Sequence, residues 1–140
     1  MKQIFLLIII ATCSICCEKT IEIQKAFDFD LIMLPVLTEI EPDKPLEMRF
    51  TIRSIGGEYI HTRYYARFFL FSGKGILTDE NGEMFFPNDD HLLQSKQFRL
   101  YYTPSQGASH RLEIVFFDNF GHEKTVEITF AVPQGEVLQN

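Results

Sequence analysis

Polar and apolar residues alternate with a period of two over most of this chain, most clearly in residues 109–132, SHRLEIVFFDNFGHEKTVEITFAV. Leu112, Ile114 and Phe116 alternate with Arg111, Glu113 and Val115; Val126, Ile128, Phe130 and Val132 alternate with Thr125, Glu127, Thr129 and Ala131. A one-sided apolar pattern of this period marks a half-buried antiparallel strand. Asp118-Asn119-Phe120-Gly121 lies between the two runs and is rich in residues that tolerate φ > 0, so the segment predicts a hairpin. A hairpin alone is marginally stable and needs a second sheet over its apolar face.

The earlier residues supply that cover. Ala26 to Leu34 predicts a first strand with Phe27, Phe29, Leu31 and Met33 on one face, ended by Pro35, which cannot donate to a ladder. After a turn at 41–45, Leu46, Met48, Phe50 and Ile52 oppose Glu47, Arg49, Thr51 and Arg53. Gly56-Gly57 ends that run, and a third strand over about residues 62–71 aligns Tyr64, Ala66, Phe68 and Leu70. Gly73-Lys74-Gly75 reads as a turn, and Asn81-Gly82 between two short apolar runs as a hairpin. Residues 87–90 read as a loop, Gln97 to Thr103 as a strand aligning Phe98, Leu100 and Tyr102, and Pro104 to Ala108 as the lead into the last hairpin. No stretch of 10 residues shows helical periodicity. The pattern predicts an all-β fold, an immunoglobulin-like two-sheet sandwich of about seven strands, with a small OB-like barrel as the alternative. The buried Trp and Cys pair of antibody domains is missing, so the kinship is architectural.

The first residues follow a different rule. Lys2 precedes an apolar run, Ile4 to Ala11, that is too short for a membrane-spanning helix and suits a secretory signal. Cys13, Cys16 and Cys17, the only cysteines, follow it and resemble the lipobox of bacterial lipoproteins, in which cleavage occurs just before a cysteine that carries lipid. Cys17 is the expected attachment site because the polar run Glu18-Lys19-Thr20 follows it directly; Cys13 and Cys16 are the alternatives. A plain secreted protein is the rival reading. The expected organisation is a lipoprotein signal peptide over residues 1–16, a tether over 17–25, an immunoglobulin-like domain over 26–132 and a flexible tail over 133–140. Cleavage before Cys17 leaves one cysteine, destined for acylation, so the fold has no disulfide to draw on.

Cleavage also leaves 124 residues, enough for one core, and moves the net charge from -6 to -7. That acidity argues against a nucleic-acid partner, which requires a positive surface. Fourteen phenylalanines and no tryptophan predict a core of Phe, Ile and Leu.

Catalytic and metal-binding patterns fail on inspection. Gly73-Lys74-Gly75 lacks both the glycine spacing and the Ser or Thr of a phosphate loop. Aligning Gly82 with the sixth position of a calcium loop puts Leu77 at the first and Asn88 at the twelfth, where carboxylates are required. Asp89-Asp90-His91 are adjacent, and adjacent residues rarely converge on one ion. His61, His110 and His122 stand near loop ends and are expected to be solvated. The chain has no nucleophile elbow, so we expect no enzymatic activity, no cofactor and no metal.

Several stretches resemble one family, TraQ of bacterial conjugative transposons: IEIQKAFDFDLIMLP, TRYYARFF, GKGILTDENG, FFPND, FRLYYT and FFDNFG, in that order and over most of the mature chain. The resemblance implies a small exported lipoprotein with an immunoglobulin-like sandwich and a role in the mating apparatus. It implies partners among other conjugative transfer proteins of the cell envelope and a Gram-negative envelope location, on the periplasmic side or outer membrane. It brings no active-site residues.

In a sandwich of this type the third strand and the last two share a sheet. Its outward set would be Arg63, Tyr65, Arg67 and Phe69, then Arg111, Val115 and Phe117, then Thr125, Thr129 and Ala131. Tyr, Phe and Arg are enriched at protein interfaces, which makes this face the candidate interaction surface unless residues 72–93 fold over it. The rival is a glycan-binding surface lipoprotein using Tyr59, Tyr64, Tyr65 and Tyr101. Single-strand DNA binding through Arg and aromatic residues is opposed by acidity and export.

Overall fold

The computed structural model describes residues 27–133. The expected signal peptide, Cys17, the expected tether and all but the first residue of the expected tail lie outside them. Seven strands form: β1 (Phe29–Met33), β2 (Leu46–Ser54), β3 (Tyr64–Asp79), β4 (Met84–Phe85), β5 (Asp90–Leu92), β6 (Gln97–Asp118) and β7 (Glu123–Ala131). All these strand pairings are antiparallel.

Two long strands hold the fold together. The first half of β6 pairs with β2 and with the second half of β3, as in Leu46↔Tyr102 and Ile76↔Thr103. Its second half pairs with β7 and with the first half of β3, as in Leu112↔Ile128 and Tyr65↔Phe117. Both strands bend between their halves, so one open hydrogen-bonded sheet folds over into two layers. The first layer runs β1-β2-β6-β3-β4 and the second β5-β3-β6-β7. Residues 38–40 complete the second, adding to β7 in parallel through Ile40 N–H to Ala131 O, 3.0 Å, and Ala131 N–H to Thr38 O, 2.9 Å. This is the strand order of an immunoglobulin sandwich.

The expected inward sets meet between the layers. Phe116 of the second layer packs against Phe50 and Phe98 of the first at 5.0 and 5.7 Å between centroids. Tyr64 meets Phe29 edge-on at 5.3 Å. Met48, Ala66, Leu100, Leu112 and Ile114 are buried around these rings.

Three expectations are corrected here. Residues 73–75 and 104–108 do not separate strands; they are the bend itself, where the β3–β6 register shifts three times between Leu70 and Gly75. Gly73 has φ 77°, and a Cβ there would lie 2.4 Å from His110 Nδ1, so only glycine lets the bend close. His110 is buried rather than solvated, because it shares the phase of Leu112, Ile114 and Phe116. Its Nδ1 lies 2.7 Å from Tyr102 Oη and its Nε2 3.0 Å from Gly107 O, so the ring is satisfied on both sides. His122 is also held: Nδ1 lies 2.8 Å from Asp118 Oδ2, while Asp118 Oδ1 accepts the N–H groups of Phe120 and His122.

Candidate interaction surface

The candidate face is the outer side of the second layer, and the two-residue period of β3 and β6 builds it. Tyr65 opposes Phe117, Arg67 opposes Val115, and Phe69 opposes Glu113. The Tyr65 and Phe117 rings stack at 5.4 Å with 16° between planes, a geometry favourable for aromatic pairs. Arg67 lies over Phe117, its Cζ 5.2 Å from the ring centroid, and Nε donates to Asp90 Oδ1 at 2.7 Å. Phe69 stacks with Phe71 at 6.3 Å, and Arg111 Cζ lies 5.1 Å from the Phe71 centroid. Val115 is half-buried in register between Arg67 and Thr125. Arg63 is exposed at the end of the row, its backbone N–H bonded to Asn119 Oδ1.

Charge is arranged to hold the arginines flat. Glu113 and Glu127 oppose one another across the β6–β7 ladder, an unfavourable pairing. Arg111 relieves it by donating through Nε and Nη2 to both Glu127 carboxylate oxygens, each at 3.0 Å. Those bonds lower the Glu127 carboxyl below its ordinary value and raise the guanidinium above its own. Both groups stay exposed, so the pair orients the face more than it stabilises the fold.

Residues 72–93 do not cover this face. They continue β3, turn at Asp79–Gly82 and form β4 and β5, with β5 pairing along the β3 edge. Tyr65, Phe69 and Phe117 are half-buried through their own stacking. Two residues join them that the sequence reading missed. Phe71, 57% exposed, shares the phase of Tyr65, Arg67 and Phe69, and this was its readable signal. Leu92, 44% exposed, pairs with Tyr65 through β5, a strand too short to show any period.

The four tyrosines proposed for glycan do not converge. Tyr64 is buried, a correction to its expected exposure that follows from its inward phase. Tyr101 lies on the other layer and donates to Glu47 Oε2 at 3.1 Å, while Tyr59 sits in the β2–β3 loop. Asp90 and His91 likewise diverge, Asp90 to Arg67 and His91 onto the Phe85 ring at 4.0 Å.

The chain matches the TraQ conjugal transfer protein family over residues 1–132. It belongs to that family. Three solved structures of Bacteroides proteins are similar to this TraQ family member. A conjugative transposon lipoprotein from Bacteroides eggerthii is 33% identical with a TM-score of 0.68, the match covering 75% of this chain and 98% of that one. A conjugate transposon protein from Bacteroides vulgatus is 32% identical with a TM-score of 0.67, covering 87% and 96%. A lipoprotein from Bacteroides thetaiotaomicron is 25% identical with a TM-score of 0.69, covering 89% and 98%. A comparison with curated proteins finds no match.

Proposed function

We propose that this TraQ family member is an exported, lipid-anchored, non-enzymatic part of a conjugative transposon's transfer apparatus. It works as a protein-binding module through the outer face of the second layer. The observation that carries the reading is the continuous row Tyr65, Phe117, Arg67, Phe69 and Phe71 on a sheet face that no other segment among the described residues covers. Such residues are costly toward water and are the types that dominate binding hot spots. The partner is another transfer protein of the envelope, and the anchor is lipid on Cys17, with residues 18–26 as the link to the sandwich. Similarity to structures described as a conjugative transposon lipoprotein and as a lipoprotein supports the anchor.

Two measurements test this. Cys17→Ala should abolish incorporation of labelled lipid and release the protein from membranes, since each buried methylene contributes about 0.8 kcal/mol. Label that persists in Cys17→Ala moves the site to Cys16 or Cys13. A photo-crosslinking residue at position 67 should capture a transfer protein encoded by the same transposon, and one at position 53 on the other layer should not. Equal capture from both positions contradicts the assignment of the face.

A further inference from the structure

The sandwich has two unlike ends. At one lie the bend of β3 and β6 and the last described residue, Pro133; at the other lie Phe27, the β2–β3 loop (55–63) and the β6–β7 turn (119–122). We infer that the second end docks onto the lipid surface of the membrane that carries the anchor, with Ile60 entering it. This inference rests on the proposed acylation of Cys17.

Three observations carry it. The first is the apex of the β2–β3 loop. Thr62 N–H bonds to Tyr59 O at 3.0 Å, closing a turn with Ile60 and His61 at its tip. Water-facing turns favour Gly, Asn, Asp and Ser, yet this one presents a β-branched apolar side chain that is 92% exposed. Ile55 and Phe120 are exposed beside it, and Tyr59, half-buried, lies between Phe120 at 5.8 Å and Phe27 at 5.2 Å. An apolar tip ringed by aromatics is the composition that partitions to a membrane interface.

The second is where the chain enters. Phe27, the first described residue, is gripped by this same loop: a Cβ on Gly57, whose φ is 154°, would lie 2.7 Å from the Phe27 ring. The nine residues 18–26 between Cys17 and this point reach at most about 32 Å when fully extended. The link to the acyl group therefore leaves the sandwich at the apolar end and not at the bend.

The third is charge. Glu58 pairs with Lys96 at 2.6 Å and Asp28 with Lys124 at 3.2 Å, so these two carboxylates at the end are neutralised. Arg63 is exposed next to the loop and forms no ion pair among the described residues, which leaves its guanidinium for lipid phosphate. Docked this way, the strands stand off the bilayer and the aromatic–arginine face points sideways along it.

The chain has no tryptophan, so Ile60→Trp introduces a single indole reporter. The acylated full chain is reconstituted into phosphatidylethanolamine–phosphatidylglycerol vesicles with or without brominated acyl chains. Gln106→Trp, exposed at the bend, reports on the far end. The inference expects a blue shift and bromine quenching for position 60 and neither for position 106. Vesicle-bound protein with position 60 unquenched, or with both positions quenched alike, overturns the inference and leaves the anchor standing. An indole that shifts only in native envelopes assigns the tip to a protein and also overturns it. Protein that carries no lipid and leaves the vesicles overturns the anchor and this inference together.

Discussion

The two outer faces of the sandwich share the strands β3 and β6 and one core, yet differ in kind. On the first layer Arg49 pairs with Glu47, Arg53 with Asp30 at 2.8 Å, and Tyr101 with Glu47. Arg49 and Arg53 find carboxylates on the same face, while Arg99 faces Arg49 across the β2–β6 ladder; the Arg49 bond holds the Glu47 carboxyl below its ordinary value, and Tyr101 raises Arg99 above its own. Of its exposed apolar side chains, Ile32 lies on β1, apart from Ile76 and Met84 on the paired strands β3 and β4 and from Phe86 just after β4. On the second layer the rings are adjacent, and two arginines lie across them. Since one core supports both faces, the aromatic row is not a requirement of folding.

Substitutions should therefore act according to depth and layer. The largest effect belongs to the shared core: Phe116→Ala removes the ring that joins Phe50 and Phe98 and should cost roughly 3–5 kcal/mol in denaturant unfolding. A loss below 1 kcal/mol would mean the layers do not share a core. Next comes the bend. Tyr102→Phe leaves His110 Nδ1 buried without its partner, an expected loss of about 1–3 kcal/mol. Burial pushes the Tyr102 phenol up from its ordinary 10.0 to about 12. The neutral form is thus favoured in the fold; its contribution is full below pH 10 and is lost as pH rises toward 12. Unfolding midpoints between pH 9 and about 12 should fall in wild type and fall less in Tyr102→Phe. The smallest effects belong to exposed ion pairs. Glu127→Ala on the second layer and Asp30→Ala on the first should each change stability by about 0–1 kcal/mol. A larger loss for Glu127→Ala would make the aromatic face a structural support rather than a surface.

Much of this was legible from alternation alone. Inward residues of β1, β2, β3, β6 and β7, the Asn81-Gly82 turn and the Asp118–Gly121 turn follow directly from period and turn chemistry. The bend was not legible, because glycine and proline mark a bulged, continuous strand as readily as a loop. His110 was misread for a related reason: its polarity suggested the surface, while its phase placed it beneath the bend. The aromatic face was readable as a set of residues. Its ion pairs were not, since Asp90 reaches Arg67 from a strand three residues long.

The most direct test of the central claim is a transfer assay comparing matched double substitutions on the two faces in donor cells. Tyr65→Ala with Arg67→Ala should lower transfer by roughly tenfold or more, as for loss of a binding hot spot of about 2 kcal/mol, with the melting temperature unchanged. Arg49→Ala with Arg53→Ala should leave both transfer and melting temperature unchanged. Equal transfer from both variants, or a loss that tracks the melting temperature, would contradict the assignment of the second layer as the working surface.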